Sequence, residues 1–346
     1  MRKIVILLVL ISVLAVPVHA MDFTAPTVPE EGQRFMPDET ENFGQGLLYV
    51  FRSALDYIQP SIAEAAEVCV TIVAVSLLTG LLSDISGSKN KVFALSGVAA
   101  VSVLLLRPIN VLVKLGVQSV QQISQYGKLL LPSLAGALAA QGAVTKSGAL
   151  YIATTFFDTV LTSAISTWLV PLVNILLCVS IGGKLCNVSI MQDIRKFIKW
   201  VLIWGLKLVL YVFTGYISIT GVVGGTTDAT LLKATKLTIS GMVPVVGNIL
   251  SDASEAVLVS AGLMKNAVGV YGLLAIIALW IGPFVRIGVQ YLMLKAATGV
   301  CGMFADRTIW ELMKDFSDAM GLVLAMTGTV CLIFLISIIC FMRGVG

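Results

Sequence analysis

Four ionisable side chains lie inside long apolar stretches of the sequence, where a charge requires an explanation. They are Asp158, Lys207, Arg286 and Arg107. A charge at membrane depth is costly unless it is paired or reached by water. These residues therefore either line a polar pathway for an ion or a solute, or form internal ion pairs such as Asp158 with Lys207 or with Arg286. For Lys207, extension of the side chain to the membrane surface is a third interpretation.

The sequence offers little for catalysis, metal binding or nucleotide hydrolysis. Its single histidine, His19, lies in the N-terminal apolar run, so the rest of the chain lacks an imidazole for a Ser-His-Asp triad, a metal site or an HExxH protease. The six cysteines form no Cys-x-x-Cys pair, and no Walker A phosphate loop is present. We therefore expect no catalytic residues, no metal and no cofactor.

The composition is that of a membrane protein. Hydrophobic residues make up 58% of the chain and charged residues only 12%, whereas about a quarter of an average soluble domain is charged. The net charge of +4 is spread over short connections, so nucleic-acid binding is not expected. The sequence predicts an all-α, polytopic membrane protein with about six transmembrane helices, plus re-entrant or interfacial helices, in contact with the lipid bilayer.

The membrane domain is expected over residues 61–346. The candidate spans are 62–82, 92–113, 149–180, 200–222, 267–294 and 319–342. Residues 129–145 are also apolar but contain Pro132 and two glycines, and a crossing there would move the basic segment 184–199 to the outside. This segment is therefore predicted to be re-entrant or interfacial, with packing of its small residues against another helix as the alternative.

The N-terminal region predicts an exported segment. Residues 1–20 combine Arg2 and Lys3 with an apolar run and a small-x-small cleavage site, the pattern of a cleavable signal peptide. Residues 21–60 follow as an acidic leader and a short amphipathic helix that Pro60 is expected to end. This helix would lie on the outer surface or pack on the outer loops. The mature N-terminus is thus predicted outside, and basic residues are denser in the connections left in the cytoplasm.

Residues 224–266 predict a helical hairpin on the outer side. A helix can start at Asp228 and end near Gly241, and a second can start near Asp252. The first would be about 21 Å long, too short for a membrane core of about 30 Å. Capping and solvation explain most polar residues here, but a docking or gating surface would explain their clustering. The candidates are Asp228, Lys233, Lys236, Pro244, Gly247, Asp252, Glu255, Lys265 and Asn266.

Four stretches of this hairpin resemble the stage III sporulation protein AE family of endospore-forming bacteria. They are G-G-T-T-D-A-T-L-L-K-A-T-K from Gly224, M-V-P-V-V-G-N from Met242, D-A-S-E-A from Asp252 and L-M-K-N-A-V-G from Leu263. The signal peptide, the acidic leader and the multi-span body are similar to the family as well, so the likeness extends over nearly the whole mature chain.

The resemblance implies a membrane subunit of the mother-cell-to-forespore channel or secretion-like complex, with a permease-like or export-gate role. It places the chain in the mother-cell membrane around the forespore. The implied partners are other stage III sporulation A-operon proteins, including a separate ATPase, and a forespore membrane partner. The alternative is a self-sufficient secondary transporter of a small solute, because broken helices such as one at Pro283, beside Arg286, can form transporter sites.

Overall fold

The computed structural model describes residues 25–37, 43–85, 91–186, 189–242 and 247–343. Side chains within these ranges are described except at 83–84, 91, 189 and 219–265. The predicted signal peptide, residues 1–20, lies outside the described residues, as do residues 21–24 and 38–42 of the predicted leader.

The described residues form eight α-helices and one π-helical turn, and they contain no β-strand. In chain order these are α1 Glu30–Gln33, α2 Phe43–Ile85, α3 Lys91–Ala140, α4 Val144–Ala164, the π-helical turn Ile165–Leu169, α5 Val170–Cys186, α6 Ser189–Met242, α7 Gly247–Cys301 and α8 Arg307–Met342. The π-helical turn joins α4 to α5 without an interruption.

Six helical segments of the described part are long and apolar enough to cross a membrane. They are Phe43–Leu82, Val92–Ala140, Val144–Cys186, Ile190–Ser218, Asn266–Cys301 and Arg307–Met342. Each overlaps one predicted span, which confirms the all-α, polytopic fold. Helices suit this setting because they satisfy every backbone hydrogen bond internally, where lipid offers no partners.

The centre of the bundle is the antiparallel pair α7 and α8, whose apolar stretches are mostly buried. Helices α2 and α3 pack on this pair, and α4, α5 and α6 pack against one another beside α3 and α8. The peripheral helices expose more of their apolar surface than α7 and α8 do. An apolar exterior of this kind suits lipid or neighbouring subunits as surroundings.

The expected end of a helix at Pro60 was wrong, because α2 continues through this residue. Pro60 removes one backbone N–H donor. The same buried face nevertheless continues on both sides, with Val50 and Ala54 before the proline and Ala65 and Ile72 after it. Packing of this continuous face stabilises the helix across the missing hydrogen bond.

Part of the acidic leader also packs against the bundle rather than extending from it. Val28 and Phe35 are buried, and the ring of Phe35 meets Tyr57 edge-on with centroids 5.7 Å apart. Phe35 lies so close to Gly282 of α7 that a Cβ atom there would come within 2.9 Å of the ring. The apolar residues among the acidic ones thus anchor residues 25–37 on α2 and α7.

Residues 129–145 form no separate re-entrant element. Helix α3 continues to Ala140 and includes Pro132, and the left-handed Gly142, with φ of 87°, begins the turn into α4. Leu130 and Leu138 are fully buried in the core. The segment was misjudged because α3, with 50 residues, is about 75 Å long and extends far beyond one apolar span.

The helices around residues 224–266 also differ from the prediction. Helix α6 is continuous from Ser189 to Met242, so Asp228 lies within it and not at a helix start. Helix α7 begins at Gly247, so Asp252 lies inside its first two turns. No proline interrupts α6, and its glycines cost only about 1 kcal/mol each in a helix. Pro244 falls between the two helices, outside the described residues.

Candidate functional site

A buried carboxylate forms the polar centre between α3 and α4. Asp158 is only 1% exposed. Its Oδ2 accepts a hydrogen bond of 2.7 Å from Ser124 Oγ, and its Oδ1 accepts one of 3.2 Å from Thr162 Oγ1. Lys128 Nζ lies 3.4 Å from Oδ2. Two hydroxyl donors and one ammonium group therefore surround the Asp158 carboxylate inside the bundle.

The partner expected for Asp158 was wrong. Lys207 is exposed and forms no ion pair with any residue that the structure describes, while Arg286 pairs with Glu64. Lys128 was overlooked because it lies in the part of α3 that the hydropathy pattern left outside the spans. Because α3 is one continuous helix, Lys128 lies beside Asp158 of α4. The three charges therefore do not form one polar line through the bundle.

A second polar centre is a pocket of about 330 Å³ bordered by α2, α3 and α7. Arg286 Nη2 donates to both oxygens of Glu64, at 2.8 and 2.9 Å. Arg107, the fourth residue singled out in the sequence, lines the same pocket with Gln290. Arg107 and Arg286, far apart in sequence, thus lie in one pocket, whereas Asp158 and Lys207 are not part of it.

A row of ion pairs, which we call the charged ladder, joins α8 to α5 and α6. Its acidic side is Glu311, Asp315 and Asp318 on α8. Lys184 pairs with Glu311 and Arg195 pairs with Asp315. Lys199 Nζ lies 2.6 Å from Asp318 Oδ2, and exposed Arg307 adds a bond of 3.1 Å to Glu311. The charged ladder fixes how far α6 is shifted along its axis relative to α8.

The sequence contains a spacing of charged residues that could have indicated the charged ladder. Residues 311, 315 and 318 are spaced by four and three positions and so share one helix face, as do Arg195 and Lys199, four positions apart. These residues all lie in connections between the predicted spans. Acidic residues on one helix and basic residues on another, at matching spacing, are the pattern that indicates an interface here.

Reversing one charge of the ladder should destabilise the protein, and reversing both should restore it. Arg195→Asp places a second carboxylate against Asp315, which is 12% exposed, and we expect a loss of about 2 kcal/mol in unfolding free energy. Adding Asp315→Arg should recover most of it. Chemical unfolding of the purified protein in detergent measures both values.

The control for this swap is Lys196→Asp, on the same helix. The Lys196 side chain is 71% exposed and, among the residues that the structure describes, pairs only with Asp193 of its own helix, so the change should cost less than about 1 kcal/mol. Equal losses for Arg195→Asp and Lys196→Asp, or no recovery in the double variant, would show that the ladder does not hold α6 to α8.

The residues of the predicted docking surface lie mostly outside the described side chains. This applies to Asp228, Lys233, Lys236, Pro244, Gly247, Asp252, Glu255 and Lys265. Asn266, the last of them, is exposed. The docking or gating role of this surface stays a prediction.

The arrangement defines a class of protein. Six apolar helices surround buried polar centres, and the described residues include no cluster of three acidic, cysteine or histidine side chains suited to a metal ion. The two buried charged side chains that are described, Asp158 and Lys184, each pair with an oppositely charged residue on a neighbouring helix. These are the features of a polytopic α-helical membrane protein whose charges organise helix packing.

The comparisons identify the family. A family model described as stage III sporulation protein AE matches residues 39–344, so the chain belongs to the stage III sporulation protein AE family. This confirms the resemblance found in the sequence. Stage III sporulation protein AE of Bacillus subtilis (strain 168) is 21% identical over 236 residues, which cover 68% of this chain and 59% of that relative. The alignment thus spans less than two thirds of the relative's length. No solved structure matches the chain.

Proposed function

We propose that this chain is a membrane subunit of the channel or secretion-like complex between mother cell and forespore, with a permease-like or export-gate role and no enzymatic activity of its own. The observation that carries the proposal is membership of a sporulation family by a chain with six apolar helices. The proposed location is the mother-cell membrane around the forespore, with the mature N-terminus outside.

The proposed partners are the other stage III sporulation A-operon proteins, a separate ATPase among them, and a protein of the forespore membrane. With the N-terminus outside, the charged ladder would lie at the cytoplasmic end of α8. Lys196 and Lys314 line a pocket of about 380 Å³ there, and Lys314 Nζ stands 5.4 Å from the centre of the Trp310 ring. This end would be the surface that a cytoplasmic partner approaches.

Deleting the gene in its spore-forming host tests the proposal. Vegetative growth should be unchanged, while sporulating cells should stall after engulfment and yield few heat-resistant spores, because the complex would act only between the two membranes. Reintroducing the wild-type gene is the control. Crosslinking in engulfed cells should also recover other operon proteins with this chain. Normal heat-resistant spore counts in the deletion strain would contradict the proposal.

The transporter alternative finds less support in the helices. It relied on helix breaks at Pro283 and at Pro244. Helix α7 is continuous through Pro283, from Gly247 to Cys301, and Pro244 lies outside the described residues. Helix breaks at membrane depth are the feature that exposes backbone groups to a bound solute. Uptake of a solute by the purified chain alone in liposomes would favour this alternative over a subunit role.

A further inference from the structure

The pocket bordered by α2, α3 and α7 carries more positive than negative charge. Arg107 of α3 and Arg286 of α7 both line it, and Glu64 of α2 is its single carboxylate. Arg286 is paired with Glu64, whereas Arg107 forms no ion pair with any described residue. The pocket therefore has a net charge of +1 and one guanidinium without an anionic partner.

Hydrogen-bond donors in the pocket are also left unused. Gln290 is only 6% exposed, yet its Nε2 has no hydrogen-bond partner among the described residues. A buried amide donor without an acceptor is unfavourable by about 1–3 kcal/mol. Arg286 uses Nη2 alone for Glu64, so its Nη1 and Nε remain available. These donors line the same pocket, whose single carboxylate, Glu64, is already bonded to Arg286.

The pocket lies near mid-length of the apolar spans of α7 and α8, within about two helical turns of the charged ladder. Ile287, next to Arg286, lies with Val323 against Gly116. Val323 is five residues, about 7.5 Å of helix, from Asp318 at the end of the charged ladder. The Glu64 side chain is 61% exposed, so the pocket opens on the surface of the protein.

We propose that this pocket binds a phosphate group, supplied either by the headgroup of an anionic phospholipid or by free inorganic phosphate. Guanidinium groups match phosphate oxygens in geometry and charge, and the volume of about 330 Å³ lies within the range of small-ligand sites. The bound phosphate would neutralise Arg107 and accept a hydrogen bond from Gln290 Nε2. This site does not depend on the proposed function in sporulation.

Two probes separate the two sources of phosphate. The full-length protein, purified in detergent, is mixed with phosphatidylglycerol or phosphatidylcholine, and native mass spectrometry measures the retained lipid. In parallel, inorganic phosphate is titrated and the rise in the melting temperature gives its affinity. Preferential retention of phosphatidylglycerol identifies a lipid headgroup, and stabilisation by inorganic phosphate alone identifies a free anion.

Three substitutions test whether the pocket is responsible. Arg107→Gln should weaken binding about tenfold, as expected for the loss of one charge-assisted hydrogen bond. Glu64→Gln should strengthen binding, because it removes the competing carboxylate. Arg52→Gln is the matched control on α2, since Arg52 is exposed and does not line the pocket, and it should change nothing.

The outcome that overturns the proposal needs no variant. Wild-type protein that shows no preference for phosphatidylglycerol over phosphatidylcholine and is not stabilised by inorganic phosphate has no site for an anionic phosphate group. If binding occurs but Arg107→Gln and Arg52→Gln weaken it equally, the anion binds through the overall positive charge of the protein, and the pocket is not the site. Weaker binding by Arg107→Gln together with stronger binding by Glu64→Gln would support the pocket as the phosphate site.

Discussion

Replacing Lys128 by methionine should cost about 3 kcal/mol of unfolding free energy. The change leaves the carboxylate of Asp158, which has a fully buried side chain, without a cation in the interior of the bundle. Uncompensated buried charges are among the most destabilising defects in proteins. The value is at the lower end of the usual range because Lys128 is partly exposed and because Ser124 and Thr162 still donate to Asp158.

Equilibrium unfolding in mixed micelles measures this loss. Two further variants, a matched control and a double variant, test whether the loss comes from the ion pair. Lys114→Met is the matched control, because Lys114 lies on the same helix, is exposed and forms no ion pair with a described residue. It should change stability by less than about 0.5 kcal/mol. Adding Asp158→Asn to Lys128→Met should recover about 1–3 kcal/mol, the coupling expected for residues in contact.

The same experiment separates the observed partner from the one that the sequence indicated. Lys207→Met should show no coupling with Asp158→Asn, because Lys207 is exposed and Asp158 contacts Lys128 instead. Coupling of Asp158 to Lys207, with none to Lys128, would show that α3 and α4 are packed in a different register from the one described.

Replacing Gly127 by alanine should destabilise the protein by about 2–3 kcal/mol. A Cβ atom at this position would lie 2.0 Å from Cε1 and 2.3 Å from Cζ of Phe334. Phe334 is fully buried in α8, so its ring has little room to move, and overpacking of a dense core forces the helices apart. The loss is measurable by the same unfolding assay.

Gly205→Ala on α6 is the matched control, because a Cβ atom there meets nothing within 4 Å. It should be neutral or should stabilise by up to about 1 kcal/mol, the difference in helix propensity. Phe334→Leu should reduce the loss of unfolding free energy caused by Gly127→Ala, since leucine lacks the ring atoms that the new Cβ atom would meet. If Gly127→Ala is as harmless as Gly205→Ala, α3 and α8 do not approach as closely as described.

Both large effects come from one turn of α3, which contacts different neighbours on its different faces. Ser124 and Lys128, four positions apart, face Asp158 of α4, while Gly127 faces Phe334 of α8. The close approach at Gly127 fixes the position of α3. That position in turn brings Lys128 within reach of the buried carboxylate, so a packing defect at Gly127 should also weaken the ion pair.

The family resemblance and the membrane architecture could be read from the residues, but helix boundaries could not. The sequence predicts a helix end at Pro60, but α2 continues through it, and α3 likewise continues through Pro132. Local propensity decides a helix end only when packing does not oppose it. Long buried faces on both sides of these residues outweighed the local cost.

By itself the sequence determined that this chain is an all-helical protein with six apolar spans, because hydropathy is a local property and lipid leaves a single chain few other ways to cross. Only the tertiary structure decided which charges meet: Asp158 with Lys128, Arg286 with Glu64, and Lys199 with Asp318. These pairs join residues on different helices, and their distance depends on how far each helix is shifted along its neighbour. Hydropathy contains almost no information on that shift, which is set by close contacts such as Gly127 against Phe334.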